Sequence, residues 1–220
     1  MDAKKSSFYA ILAIVLSSVV FSTHSYAQDI DTQSLALAES DHDSVLGNKN
    51  SPIIIVEYGD YQCPYCAEVY SSVEPRLRRE YINSGRAKMI FRNQQFRGDE
   101  SIAAGAAAAC AKDQGKFWAY HDALFSAKNS DFRSGAGENN NFYNRNLFIR
   151  LGKQVNLNMA SFTSCLDSKK YVDQVKTESD NASSMGVNRT PMMFVNGEEV
   201  PNPTSYESVK SVIESKLHKK

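Results

Sequence analysis

Residues 53–66 read Ile-Ile-Ile-Val-Glu-Tyr-Gly-Asp-Tyr-Gln-Cys-Pro-Tyr-Cys. The near-continuous β-branched run from Ile53 to Tyr58 suits a central strand covered on both faces. Gly59-Asp60 turns the chain, and a helical pattern follows from Cys63 to about Asn83, ended by Gly85. Glu74–Arg78 and Arg76–Glu80 are i,i+4 pairs expected on its exposed face, and Pro75 is expected to kink it. Arg76-Leu77-Arg78-Arg79 reads as a solvated helix face rather than an anion site. Lys88-Met89-Ile90-Phe91-Arg92 then alternates as a strand, so the stretch predicts a βαβ unit with a parallel pair.

The chemistry of this unit sits at Cys63-Pro64-Tyr65-Cys66. Cys63 falls at the helix N-terminus, where unpaired N–H groups and the helix dipole favour a thiolate, and Pro64 suits the first helical position. The thiolate is the attacking species in disulfide exchange, so Cys63 is the expected nucleophile, its sulfur exposed to an incoming substrate thiolate. Cys66, one turn further in, is expected to stay a thiol until it resolves a mixed disulfide. The alternatives are a zinc knuckle or a structural disulfide. Zinc would need two more ligands, yet Cys110 and Cys165 form no second CxxC, and His24, His42, His121 and His218 show no ligand spacing. A CxxC beside a βαβ unit is a redox pattern.

Outward from this core, residues 28–52 are a polar lead-in arm carrying Asp29, Asp31, Asp41 and Asp43. Residues 1–27 read as a secretory signal peptide: Lys4 and Lys5, an apolar run from Phe8 to Phe21, and small residues Ser25 and Ala27 before the cleavage point. The run is short for an uncleaved anchor. A leader of this kind places the remainder in the periplasm or another oxidising extracytoplasmic space, where disulfides persist. Downstream, residues 99–185 predict an inserted helical domain. Its alanine-rich first helix spans Ala103–Ala111, an amphipathic helix carries Phe117 to Phe125, and Lys128–Asn141 reads as a surface loop. Further helices follow around Leu147–Val155, Ala160–Leu166 and Lys169–Met185, closed by Gly186. Met192–Val195, the Asn196-Gly197 turn and Glu198-Glu199-Val200 then make a hairpin. Thr204 with Glu207 forms a capping box for a C-terminal helix. The expected fold class is α/β, in the order βαβ, helices, ββα, with residues 28–98 and 186–220 as one domain around the insertion.

The whole chain of 220 residues has 25 basic and 25 acidic side chains, a formal net charge of zero. This balance excludes an electrostatic nucleic-acid binder. At 42% hydrophobic and 23% charged the composition is that of an ordinary globular protein. Four cysteines are too few for a disulfide-stapled mini-protein.

Val56 to Cys66, then Gly115-Lys116-Phe117-Trp118, then Thr190-Pro191 ahead of Phe194-Val195-Asn196-Gly197, resemble the DsbA-like thiol:disulfide oxidoreductases from about Val45 to the C-terminus. The resemblance implies a thioredoxin fold interrupted by a helical domain, and it gives roles to further residues. Thr190-Pro191 matches the family's cis-proline loop, which packs against the CxxC and offers backbone to a bound peptide; taken alone, the dipeptide would be expected trans. Glu57 matches a buried acid that burial would make a proton acceptor for Cys66; the other reading is an acid pointing outward near the strand end. Cys110 and Cys165 remain. An even leftover pair in an oxidising compartment tends to bond, and some relatives carry a second disulfide in this domain; the alternative is two buried free thiols. Tyr65 departs from the strong oxidants, which carry His there, and glutaredoxins also carry Cys-Pro-Tyr-Cys, so the dipeptide leaves the redox poise open.

These readings predict an extracytoplasmic enzyme that introduces disulfides into cysteine-containing unfolded or secreted polypeptides. It would act as a monomer, with no metal or organic cofactor, and be reoxidised by a membrane-bound, quinone-linked partner of the kind the resemblance implies. The competing expectations are an isomerase or reductase on the same fold, and a non-catalytic zinc-binding or chaperone module.

Overall fold

β-Branched residues fill the middle of a five-stranded sheet. The computed structural model describes Ser40 and residues 43–218; the leader assigned to residues 1–27 and the first part of the arm lie outside these residues. The described chain runs β1 (Val45–Leu46), β2 (Ile53–Gly59), α1 (64–82), β3 (Ala87–Asn93), α2 (Asp99–Lys112), α3 (Phe117–Arg133), α4 (Arg145–Gln154), α5 (Met159–Asp167), α6 (Val172–Ser184), β4 (Met192–Val195), β5 (Glu198–Glu199) and α7 (Tyr206–Leu217). The strand order is β1-β3-β2-β4-β5, which puts β2 at the centre. β2 pairs with β3 in parallel from Ile53 against Ala87 to Gly59 against Asn93, and with β4 antiparallel. The expected order of βαβ, helices and ββα is the order observed. β1 is an addition: Val45 and Leu46, read as part of a polar arm, pair antiparallel with Ile90 and Met89.

Alternation along β2 explains why the sheet is covered twice. Ile53 and Ile55, 1% and 0% exposed, face Val69, Val73 and Leu77 of α1 and Val209 and Ile213 of α7. Val56 and Tyr58 face Ala182 of α6 and Val187 beyond it. Burying each of these aliphatic side chains contributes about 1.5–3 kcal/mol. A third cluster packs α2 to α5 around Tyr61, Cys63, Cys66 and Phe91, so the helical block rests directly on the CxxC turn.

Four local expectations change. Pro75 lacks the N–H that an α-helix interior requires, and the turn ahead of it widens to a π turn over Val69–Val73, with the Glu74 N–H on the Val69 carbonyl. A second π turn covers Arg78–Ile82. Glu74 is not on an exposed face: it is 1% exposed and turns inward to His121 of α3, while Arg78, half-buried, bridges Glu74 and Asp122. The stretch from Lys128 to Arg133 is helix, not loop. Lys128 is fully buried because its ammonium donates to Asp131 Oδ2 at 2.9 Å and to the Gly137 carbonyl at 3.0 Å, and lies over the Phe132 and Phe142 rings. The Thr204–Glu207 capping box is replaced by Ser205, whose hydroxyl accepts the Ser208 N–H, while Thr204 turns to Asn202. The Asn196-Gly197 turn forms as expected, with φ of 46° and 82°, and Asn196 Oδ1 also accepts the Ile54 N–H at 2.7 Å.

Cys110 on α2 and Cys165 on α5 are joined by a disulfide, with Cα atoms 5.9 Å apart and a sequence separation of 55. In the chain-entropy picture such a loop is worth about 4 kcal/mol. Cys110→Ala and Cys165→Ala are each expected to lower Tm by roughly 5–15 °C, and the double variant should melt with the single ones, since either removes the same bond. Calorimetry of the three variants checks this; additive losses would mean that the cysteines stabilise the protein independently.

Candidate active site

The end of β2 delivers Cys63 to the start of α1. Gly59 sits where a Cβ would lie 2.4 Å from the Phe91 ring, so only glycine lets the strand close against β3 there. Asp60 then builds the turn. Its carboxylate accepts the Gln62 N–H and the Ser101 hydroxyl on Oδ1, and the Phe96 and Arg97 N–H groups on Oδ2, while its carbonyl accepts the Cys63 N–H. Cys63 is the N-cap of α1, extended at φ −77° and ψ 121°, and Pro64 takes the first helical position.

Both cysteines carry free thiols. Cys63 was expected to expose its sulfur, but the residue is 0% exposed: the Thr190-Pro191 loop reaches over it, and the Cys63 thiol donates to the Thr190 carbonyl at 3.3 Å. Thr190-Pro191 is cis, as the resemblance implied. Pro64 and Tyr65 form the outer rim, with Tyr65 60% exposed.

The two thiols differ strongly in acidity. A hydrogen bond from the Cys66 thiol lowers the Cys63 pKa to about 6 against the opposing effect of burial; Thr190, the Cys66 N–H and the Arg97 charge add to it. Thr190 Oγ1 is buried with no hydrogen-bond partner, and so is free to donate once Cys63 ionises. Burial pushes the Cys66 thiol well up, helped by its bond to Cys63 and by the charges of Cys63 and Glu57. Such a pair holds one sulfur ready to attack near neutral pH and keeps the other protonated.

Glu57 lies on β2 between Phe91 of β3 and Met193 of β4, 1% exposed, and its Oε2 has no hydrogen-bond partner. It does not point outward. Burial raises its pKa well above the carboxylate range, with the charges of Glu74 and Cys63 acting in the same direction. A carboxyl held protonated behind a high-pKa thiol can trade a proton with it.

The structure also assembles residues that the sequence reading passed over. Tyr61 OH meets His121 Nδ1 at 3.2 Å, and His121 Nε2 lies 3.5 Å from Glu74 Oε1, all three buried among Phe91, Phe117, Trp118 and Phe125. His121 sits within the aromatic run Phe117–Phe125, a polar side chain on an apolar face, and that was the available signal. Glu74, His121 and Asp122 bring one ligand atom each within 4.8 Å of one another. The Arg78 guanidinium already holds both carboxylates there, and neither CxxC cysteine belongs to the group.

Residues 39–215 match the protein family described as "Thioredoxin". The chain is 29% identical over 216 residues to a probable disulfide bond formation protein D of Bacillus anthracis, covering 96% of this chain and 94% of that protein. It is 30% identical over 176 residues to disulfide bond formation protein D of Bacillus subtilis, covering 79% and 76%. Among solved structures it is similar to oxidised BdbD from Bacillus subtilis, with a TM-score of 0.72 at 28% identity, covering 80% of this chain and 94% of that one. It shares its fold with alpha-DsbA1 of Wolbachia pipientis, with a TM-score of 0.70 at 22% identity, covering 86% and 96%. A CxxC capping the helix that follows the central strand, a cis-proline loop laid over it and helices inserted between β3 and β4 thus occur here together with kinship over most of the chain, which belongs to the thioredoxin family and, within it, to the DsbA-like thiol:disulfide oxidoreductases.

Proposed function

We propose that Cys63 and Cys66 are the redox pair of an extracytoplasmic oxidant of polypeptide thiols. The observation that carries this reading is the opposed acidity of the two thiols, Cys63 near 6 and Cys66 pushed far up. In the oxidised enzyme the two sulfurs are bonded. A substrate thiolate attacks Cys63 Sγ, the Cys63–Cys66 bond breaks, and the Cys66 sulfur leaves with the bonding electrons. Glu57, protonated in its buried site, gives that sulfur a proton. A second substrate thiolate then attacks the substrate sulfur of the mixed disulfide and expels Cys63 as a thiolate. The substrate gains a disulfide, and its two electrons stay on the enzyme dithiol. The Thr190-Pro191 loop presents the backbone along which a substrate segment lies. Because the low Cys63 pKa stabilises the reduced enzyme, the disulfide form is oxidising.

The reading further places the enzyme in the periplasm or an equivalent space, on the strength of the leader read in residues 1–27. It has the enzyme working as a monomer on cysteine-containing unfolded or secreted chains, with a membrane-bound, quinone-linked protein taking up the two electrons. The test compares two assays on one preparation: oxidation of a reduced dithiol peptide, and rescue of a protein with scrambled disulfides. Efficient peptide oxidation with weak rescue is expected; the reverse would make the enzyme an isomerase.

Titrating thiolate absorbance of the reduced protein against its oxidised form should give one midpoint near pH 6. Cys66→Ala should move that midpoint up, because it removes the thiol that donates to the Cys63 thiolate. A wild-type midpoint near 8.5, the value for free cysteine, would contradict the assignment of Cys63.

Glu57→Gln separates function from stability. A carboxyl whose folded pKa is raised holds its proton in the native state while the unfolded chain releases it above about pH 4.3. Its burial therefore costs stability progressively as pH rises through that value. The variant should melt with the wild type at pH 4 and above it at pH 8, while dithiol oxidation slows at least ~10-fold. Thermal melts and turnover at the two pH values check both halves; a variant less stable at pH 8 would show that Glu57 is ionised and partnered.

A further inference from the structure

Within the CxxC and the first segment of α1 there is no basic residue: Tyr65 stands between the cysteines, and the segment carries no cation in its last turn. The positive charge near Cys63 comes from the loop between β3 and α2. Each of the three residues before Cys63 is hydrogen-bonded to that loop. Asp60 Oδ2 accepts the N–H groups of Phe96 and Arg97 at 3.1 Å, the Tyr61 N–H donates to Gln95 Oε1 at 3.1 Å, and Gln62 Nε2 donates to the Arg97 carbonyl at 3.3 Å. This ladder fixes the Arg97 backbone beside the CxxC, and the Arg97 charge acts in favour of the Cys63 thiolate, behind the hydrogen bonds from Cys66 and Thr190. Its Nη1 donates to Glu138 Oε1 at 2.6 Å, and its Nε is buried with no hydrogen-bond partner. Glu138 is itself held in place, because its neighbour Asn139 donates its backbone N–H to Gln62 Oε1 at 2.7 Å and accepts Gln62 Nε2 on its Oδ1 at 2.8 Å.

We propose that Arg97 is a positioning residue for Cys63: its guanidinium holds the Cys63 sulfur as a thiolate in the reduced enzyme, and Glu138 sets how much of that charge the sulfur feels. The proposal rests on the reading of Cys63 as the attacking sulfur. The titratable groups acting on Cys63 are Cys66 from α1, Glu57 from β2 behind it and Arg97 from this loop; those acting on Arg97 are Asp60 and Glu138. Arg97 is the one cation in the set. A salt bridge serving only to pin two loops would leave the acidity of Cys63 unmoved when either partner is neutralised. A pair that meters charge at the sulfur moves it in opposite directions.

The experiment is a thiolate titration of the reduced protein, with Cys66 intact, in the wild type, Arg97→Gln, Arg97→Lys and Glu138→Gln, together with each protein's equilibrium against glutathione at pH 7. Arg97→Gln should raise the Cys63 midpoint by about one pH unit and shift the glutathione equilibrium about five-fold toward the enzyme disulfide. Arg97→Lys should recover most of the wild-type midpoint. Glu138→Gln keeps an acceptor for the guanidinium but removes its neutralising charge, so it should lower the midpoint. This arm decides the matter even if Arg97→Gln folds poorly. A wild-type midpoint near 6 that none of the variants moves would overturn the role of Arg97 and leave Cys63 as the nucleophile. A wild-type midpoint near that of free cysteine would overturn both.

Discussion

The carboxylate of Asp60 organises the site. Fully buried, it accepts four hydrogen bonds, from Gln62, Ser101, Phe96 and Arg97, and so ties the end of β2 to the loop after β3 and to the first turn of α2. Hydrogen bonds to a charged acceptor are worth about 1.5–3 kcal/mol each. They work here against the burial that raises the Asp60 pKa. The geometry of the cysteine pair depends on this turn: the Cys63 N–H is bonded to the Asp60 carbonyl, which fixes the sulfur at the head of α1 and under the Thr190 carbonyl. The neighbouring side chains extend the clamp. Gln95 takes the Tyr61 N–H and gives its own amide to the Gly59 carbonyl, and its backbone N–H reaches Ser179 on α6. The thioredoxin-like sheet and the inserted helices thus meet at one buried polar lattice, and the redox pair sits on its edge.

Around that anchored turn, burial is used in two opposite ways. Cys66 and Glu57 are both shut away from water, and both are driven toward their protonated forms. Cys63 is shut away too, but hydrogen-bond donors surround it and offset the cost of a charge. An unpaired carboxyl in the centre of a sheet is a poor choice for stability, since the same volume of apolar side chain would pack without desolvation cost. It makes sense where a proton must be kept next to a leaving thiolate. The adjoining Tyr61–His121–Glu74–Arg78 chain adds a second buried polar path. Unlike Glu57, each of its members finds a partner.

Much of this was legible in the residues. The β-branched run Ile53–Val56, the glycine-aspartate turn and Cys63-Pro64 at a helix start are local signals, and local chemistry made them what they became. The Asn196-Gly197 turn was readable for the same reason. What escaped was set by contacts distant in sequence. Lys128 looked like a surface residue among Ser and Asn, yet Asp131, the Gly137 carbonyl and two aromatic rings make its burial tolerable. Glu74 and Arg78 looked like an exposed helical pair because spacing cannot tell which face His121 and Asp122 will cover. Cys63 looked exposed because a helix N-terminus usually is; the loop that covers it comes from 127 residues further along the chain. At the site, the cysteines could be named from their spacing, and the proline loop and Glu57 only through the family resemblance. The residues that hold them, Asp60, Gln62, Gln95 and Arg97, could not, since no pattern marks a side chain whose partners lie on other elements.

The central claim is that the substrate sulfur is taken by Cys63, with Cys66 as the leaving sulfur. It is tested most directly by trapping the mixed disulfide. Cys66→Ala protein, first charged as a mixed disulfide with oxidised glutathione, then exchanged with a reduced cysteine-containing unfolded polypeptide and quenched in acid, should hold the substrate on Cys63 alone when mapped by mass spectrometry, and Cys63→Ala protein treated in the same way should trap none. Substrate found on Cys66 in the Cys63→Ala variant, or on Cys110 or Cys165 in either, would contradict the account.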